Sequence, residues 1–413
     1  MADVEVSLTV SGPILDRERI DSLDILRGFA LMGILVMNIQ SFSMPSAAYL
    51  IPNSYESLDG IHGALWLVGY LFFDLKFMAM FSILFGAGIV LMSQRRDASG
   101  DPVLWVHFRR MFLLLLFGLM HAYLIWYGDI LVGYAICGVF VVWVRKWRPS
   151  RLLIAGGVLI CFGAVFHILV GLSAQFFPEA VESIRGDYVV TLEEHQAEID
   201  AYRGAWSEHF SFRLTESLGM HFFVFPMMFF WRLCGLMCVG IALYKSSVLD
   251  ASRSCAFYIR MAVIGVVLGL PLVCMGAYTG WQNDFDPVYI LGYGALFNYF
   301  GSVFIAFMWI SLIMLLSRAH SFSMVRHALS CYGRMAFTNY IGQSLMATCI
   351  FYGYGLGWFG SVSRLEQMGV VLVIWAVQLF FSVIWLLYFR LGPLEWIWRV
   401  GTYLQFQPLR RRD

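Results

Sequence analysis

Arg27 and Asn38 lie eleven residues apart in the apolar stretch Arg27-Gly28-Phe29-Ala30-Leu31-Met32-Gly33-Ile34-Leu35-Val36-Met37-Asn38. In a helix, eleven steps of roughly 100° bring Asn38 back to within about 20° of Arg27, so guanidinium and amide share one face. Arg110 and His121 repeat this spacing, with Arg110-x-Phe112-x-Leu114…Met120-His121 echoing Arg27-x-Phe29-x-Leu31…Met37-Asn38. Each pair sets a cation near one end of a membrane helix and a hydrogen-bonding group about 16 Å further along. His121 differs in kind from Asn38. An imidazole takes up a proton near neutral pH, and Asp129, eight residues on, can orient it and raise its basicity, as a general base requires. Plainer roles suit the same residues: Arg27 as a span-end anchor, Asn38 as interhelical glue, His121 bonded to a neighbouring helix.

Other polar groups also stand in apolar surroundings. Asp74 and Lys76, at i and i+2, do not face each other on a helix, so each needs another partner. Arg232 lies mid-span, where a charge costs roughly 2.5–3.5 kcal/mol on insertion scales and is expected to face a cavity or a buried acid. Asn339 and Gln343 share a helix face just after Gly333-Arg334 and can bond a ligand or another helix, whereas Gln378 reads as packing glue. His62 reads as a solvent-facing loop residue. Cys234 and Cys238 are also four apart, but without nearby His or Asp they read as small packing residues. Nearly all eight cysteines fall in apolar runs and none in residues 175–217, which excludes a disulfide framework. No phosphate-binding loop, zinc signature, nucleophile elbow or dinucleotide fingerprint is present. The basic residues are dispersed at span ends, which leaves no nucleic-acid footprint.

The elements that must position these groups are membrane helices. The 413 residues are 60% hydrophobic and 17% aromatic with only 13% charged, and apolar runs of about 20 residues recur along the chain. This predicts an all-α, polytopic helical membrane protein with about ten spans. They run over 23–42, 61–92, 108–127, 130–144, from just after 151 to 174, 218–244, 259–281, a run ending near 317, one starting near 334, and 368–389. The run 61–92 is too long for one upright span and is expected to tilt or break at Asp74 and Lys76. The organisation expected is a polar tail 1–22, a membrane bundle 23–174, an acidic loop 175–217 with amphipathic surface helices, a second membrane unit 218–400, and a basic tail 401–413. The first 22 residues hold no cleavable apolar region, so the N-terminus is expected to stay in the cytoplasm. With that orientation, 22 of the 28 lysines and arginines fall on the inner side, which the positive-inside rule favours. Both termini are then cytoplasmic and the acidic loop is outside.

Five separated stretches carry a resemblance. They are Leu23-Asp24-Ile25-Leu26-Arg27-Gly28-Phe29-Ala30 with Gly33-Ile34-Leu35 and Asn38-Ile39; Lys76-Phe77…Phe81-Ser82-Ile83-Leu84-Phe85-Gly86-Ala87-Gly88; His121 with Trp126-Tyr127-Gly128-Asp129-Ile130-Leu131; Gly333-Arg334-Met335-Ala336-Phe337-Thr338-Asn339-Tyr340; and Gly392-Pro393-Leu394-Glu395-Trp396-Ile397-Trp398-Arg399. In order and across nearly the whole chain they resemble the bacterial YeiB family, whose C-terminal half is a domain of unknown function. That family is grouped with transmembrane acyltransferases, including the lysosomal heparan-α-glucosaminide N-acetyltransferase and the bacterial O-acyltransferases of surface polysaccharides. The resemblance implies a multi-pass protein of the bacterial inner (plasma) membrane. It also implies an acyl-CoA co-substrate from the cytoplasm, no tightly bound cofactor or metal, and a small-molecule, glycan or lipid acceptor. Membrane lipids are expected neighbours, nucleic acid is not, and a homo-oligomer is left open.

Arg27-x10-Asn38 looks like the Arg-x10-His motif of the polysaccharide O-acyltransferases, with asparagine at the histidine position. An amide is no base near neutral pH, so the step passes to His121. On this reading Arg27, Arg109, Arg110, Arg334 and Asn339 hold the acyl-CoA, with the arginines drawing its phosphates. His121, oriented by Asp129, deprotonates the acceptor, while Asn38 and Lys76 donate to the oxyanion. The competing reading is a transporter of a small amphipathic solute, suited to Arg232, Lys76 and the proline-broken sixth and seventh spans.

Overall fold

A computed structural model describes residues 20–100, 102–188 and 191–411. The expected N-terminal tail falls almost wholly outside these residues, as does Arg412. Among the described residues the chain is helical, with one isolated β-bridge between Phe389 and Arg410.

The helix α1 (Asp21–Ser43) is followed by a single turn, α2 (Ala47–Leu50), and by α3 (Gly60–Phe72) and α4 (Lys76–Ser99). Next come α5 (Val103–Leu124), α6 (Leu131–Val141) and α7 (Pro149–Phe176), then three helices in the acidic segment, α8 (Pro178–Tyr188), α9 (Leu192–Arg203) and α10 (Phe210–Gly219). A π-helical stretch, Met220–Phe229, contains Pro226 and leads into α11 (Phe230–Lys245). The chain continues through α12 (Cys255–Gln282), α13 (Pro287–Leu291), α14 (Tyr293–Arg318), α15 (Ser323–Arg334), α16 (Ala336–Phe351), α17 (Arg364–Tyr388) and α18 (Pro393–Tyr403).

Eight helical segments are long and apolar enough to cross a membrane, which makes this a multi-pass protein. The difference from the ten expected spans falls on the fourth and ninth. Helix α6 and its 3-10 extension end at Val144, and α16 has 16 residues, about 24 Å against a hydrocarbon thickness of about 30 Å. Both are largely buried in the bundle. Surrounded by protein rather than lipid, they need not match the bilayer.

Helix α1 is the axis of the bundle. In its apolar window 78% of residues are buried, against 28% in α7, α12 and α17, and it packs on α4, α14, α15, α16 and α17. The crossing of α1 with α15 is close enough that a Cβ on Gly333 would sit 1.9 Å from the Asp24 carbonyl oxygen. The run 60–94 is broken as its charges require. Leu75 takes a left-handed φ of 61° between α3 and α4. The backbone carbonyls freed there are met inside the protein, since Trp309 Nε1 donates to Phe72 O at 3.0 Å and Lys76 Nζ donates to Tyr70 O.

The acidic segment folds over one end of the bundle, next to the ends of α1, α5 and α16. Tyr202 stacks on Phe359 at 4.1 Å, Arg203 Nε donates to Phe359 O at 2.7 Å, and Glu198 accepts from the Ser46 amide at 2.9 Å. At the other, basic end, α18 caps α16. Glu395 Oε1 accepts from the Phe337 and Thr338 amides at 2.6 and 3.0 Å, and Oε2 accepts from Thr338 Oγ1 at 2.5 Å. Burial raises this carboxyl from its ordinary value, and a glutamine here keeps one oxygen to accept from the two amides. Glu395→Ala is expected to cost about 2–3 kcal/mol, because it orphans two amides at a helix start. Glu395→Gln recovers most of that, as thermal unfolding of the two variants in detergent will show.

Candidate functional site

The last turn of α5 and the loop after it build the first half of the site. The His121 carbonyl accepts from both the Ile125 and Trp126 amides at 2.9 Å, which ends the helix. Eight residues after His121, Asp129 stands just before α6, its Oδ2 accepting from the Val132 amide at 2.7 Å. The other oxygen, Oδ1, lies 2.8 Å from His121 Nδ1, and both side chains are fully shielded. A carboxylate only accepts, so the network assigns a ring proton to Nδ1, which in the neutral imidazole leaves the Nε2 lone pair free. Ser344 of α16 fills that position, with Oγ 2.8 Å from Nε2. Its alternative acceptor, the Tyr340 carbonyl one turn back, is at 3.5 Å. With the ring in that form, the hydroxyl donates to the imidazole. Serine, histidine and aspartate stand in the order and tautomer of a nucleophilic relay.

Aromatic side chains close this relay off. The Tyr340 and Trp126 rings lie 5.1 and 6.3 Å from that of His121, and Phe42 stacks on Trp126 at 4.0 Å. Trp126 is 3% exposed and its indole N–H is buried without an acceptor. An unspent donor on a ring packed against the imidazole is the kind of group that can serve a developing oxyanion.

A second constellation surrounds the α3–α4 break. The Asn298 amide joins the two charges there, accepting from Lys76 Nζ at 2.6 Å and donating to Asp74 Oδ2 at 2.7 Å. Tyr49 donates to Asp74 Oδ1 at 2.7 Å. Each charge has thus found a partner off its own helix. Arg232 faces a cavity of about 210 Å³ walled by α3, α7, α11, α12 and α14. It donates to Tyr299 O and, at 2.7 Å, to Ser302 Oγ, with the Tyr299 ring 4.4 Å away.

Most of the remaining expected site residues make contacts within or between helices. Arg27 pairs with Asp24 at 2.7 Å. Arg109 donates to Thr402 O at 3.1 Å and Arg110 lies 4.6 Å over Trp398, so both latch α18 to α5. Arg334 donates to Arg390 O at 3.2 Å. Asn339 donates to Tyr332 O and Ser382 Oγ, and Gln343 and Gln378 both bond Tyr332. His62 pairs with Glu56 at 3.0 Å. Asn38 is half-buried and, among the described residues, makes no side-chain hydrogen bond. The structure brings His121 and Asp129 together, and places Lys76 with Asn298 and Asp74 instead of in the His121 relay. Sequence reasoning missed Ser344, Trp126 and Asn298. Ser344 is one serine in an apolar helix, and its partner is 223 positions away.

The comparisons agree with this architecture. A family described as a protein of unknown function (DUF418) matches residues 243–405. The chain is 32% identical over 417 residues to the uncharacterized protein YxaH of Bacillus subtilis (strain 168), covering 97% of this chain and 98% of that one. It is 32% identical over 411 residues to the uncharacterized protein YeiB of Escherichia coli (strain K12), covering 93% and 96%. An uncharacterized 39.9 kDa protein from the amylase 3' region of Bacillus acidopullulyticus is 28% identical over 406 residues. No solved structure matches. Shared identity along nearly the full length places this chain in the YeiB-like family of multi-pass helical membrane proteins.

Proposed function

We propose that the protein is a membrane-embedded acyltransferase that carries its acyl group on Ser344. The single observation behind this reading is the Ser344–His121–Asp129 relay, two 2.8 Å bonds in a fully shielded site. Nε2 of His121 takes the Ser344 proton as Oγ attacks the carbonyl of an acyl thioester such as acyl-CoA. The thiolate leaves with that proton, and an ester remains on Oγ. An acceptor hydroxyl or amine then gives its proton to Nε2, attacks the ester carbonyl, and releases Oγ, which recovers the proton. Asp129 holds the ring and stabilises the imidazolium in both halves. The Trp126 indole N–H donates to the oxyanion. Arg109 and Arg110 bring positive charge to the basic end of α5, about 16 Å along the helix from His121, where the phosphates of the donor would be drawn.

The test is purified protein in nanodiscs given radiolabelled acetyl-CoA. Label on Ser344 and release of thiol are expected in the wild type, and neither in His121→Ala. Full transfer by a folded His121→Ala would remove His121 as the base. Trp126→Phe is expected to lower the turnover rate on the order of 10²-fold with little change in KM, as single-turnover kinetics will read. The cavity on the broken α3–α4 helix favours a second reading, transport of a small amphipathic solute. Proteoliposome flux that survives Ser344→Ala would select it.

A further inference from the structure

Arg232 is 1% exposed in an apolar bundle, and its surroundings leave its charge unmatched. Tyr299 O and Ser302 Oγ take its two terminal nitrogens, but both acceptors are neutral. Its Nε is buried and has no hydrogen-bond partner. The acid lining the same cavity is Asp74, and both of its oxygens are occupied, by Tyr49 and by the Asn298 amide that also holds Lys76. Beside this one carboxylate stand two basic side chains, Lys76 and Arg232, and neither of its oxygens bonds the guanidinium. A buried guanidinium at membrane depth persists where something compensates it.

The cavity indicates what that something is. Arg232 lies at one wall, while Trp66, Phe229, Phe285 and Ile290 supply an apolar remainder. At about 210 Å³ it is smaller than the roughly 300–1,000 Å³ of pockets for drug-sized ligands. Gly276, Gly280 and Gly294 also line the wall, each packed closely against a neighbouring residue. Tyr49 and Leu50 after α1, and Phe285, Ile290 and Leu291 before α14, border the cavity at the end of the bundle that the acidic segment covers. We infer that this cavity is a binding site for a small amphipathic mono-anion, whose carboxylate or phosphate pairs with Arg232 and whose short apolar body lies among Trp66, Phe229 and Phe285. The anionic group pairs with the guanidinium and replaces a neutral environment with an ion pair. The site stands apart from the Ser344 relay and shares no residue with it, so transfer can fail while binding remains.

The test uses the full chain in phosphatidylcholine nanodiscs, with octanoate as the probe and octanamide as its uncharged counterpart. Octanoate is expected to bind at least about tenfold more tightly than octanamide. Arg232→Gln removes that preference, and Arg232→Lys keeps part of it. Ala295→Phe fills the cavity from its wall while leaving Arg232 in place, and is expected to abolish binding of both. That variant decides the matter if Arg232→Gln does not fold. Octanoate binding that survives Ala295→Phe, or equal affinity for octanamide, overturns the proposal. So does displacement by inorganic phosphate as effective as by octyl phosphate, because the apolar wall would then play no part. Doping the nanodiscs with phosphatidylglycerol separates two sources of the same headgroup chemistry. Displacement of octanoate identifies a membrane lipid as the occupant, and unchanged binding identifies a soluble amphiphile.

Discussion

Alanine at Ser344 is expected to lower acyl transfer by about three to four orders of magnitude while leaving the protein folded. The size follows from the role. Without Oγ there is no acyl-enzyme, and the reaction must go by direct attack on the donor from an acceptor that the site has not been built to hold. The fold should survive because the change deletes one hydroxyl. Its cost is the His121 Nε2 lone pair left buried without a donor, about 1–3 kcal/mol. His121→Ala is less clean, since it strands the shielded Asp129 carboxylate, a loss of about 3–5 kcal/mol. Groups that act as a unit are not additive. The double variant Ser344→Ala, His121→Ala should therefore transfer no more slowly than either single one. Single-turnover release of thiol, with unfolding followed in parallel, separates the outcomes. Transfer retained by Ser344→Ala but lost by His121→Ala would leave His121 as the base and remove the covalent carrier. Transfer retained by both would remove the relay from the chemistry.

Alanine at Gly333 or at Gly28 is expected to cost at least about 3 kcal/mol, the upper end of ordinary overpacking penalties. A Cβ on Gly333 would lie 1.9 Å from Asp24 O and 2.6 Å from the Gly28 nitrogen, and one on Gly28 would lie 2.2 Å from Leu329 O. These are backbone atoms of the facing helix, which no side-chain rotation can move. Helix α1 and α15 would have to separate along the crossing that fixes Arg27 and Arg334 beside it. Without a hydrophobic drive between helices in lipid, such close contact is itself the adhesive. A matched control lies in one short motif. A Cβ on Gly86 would meet Met237 O at 2.1 Å, whereas Gly88 has nothing within 4 Å. Gly86→Ala should fall with the first group, and Gly88→Ala should stay within about 0.5 kcal/mol of the wild type. Thermal unfolding and the monodisperse fraction on gel filtration report both. Equal tolerance at Gly86 and Gly88 would show that these crossings are softer than their geometry.

Much of the architecture was legible because hydropathy is a local property. Each apolar run states its own length, and the break in 60–94 was signalled by two charges that no continuous lipid-facing helix would carry. The pairing of His121 with Asp129 was legible for the same reason: eight residues span one helix end and one turn. The expected phosphate-binding arginines show the opposite. Guanidinium groups at a helix end suit a coenzyme and a structural latch equally well in sequence. Only the position of α18 reveals that Arg109 and Arg110 reach Thr402 and Trp398. Asn38 looked important by analogy with a histidine motif, yet the bonds that could give it a role are absent among the described residues.

By itself, the sequence determined the membrane setting, the helical class, the family resemblance and the histidine–aspartate pair, all encoded within a turn or two of chain. Tertiary structure alone decided that Ser344 meets His121, that Asn298 joins Lys76 to Asp74, and that Arg232 is left facing an apolar cavity. Those contacts arise between helices tens to hundreds of positions apart, and their partners are set by the packing of α1 against its neighbours. A serine or asparagine in an apolar helix carries no local mark of the residue it will meet.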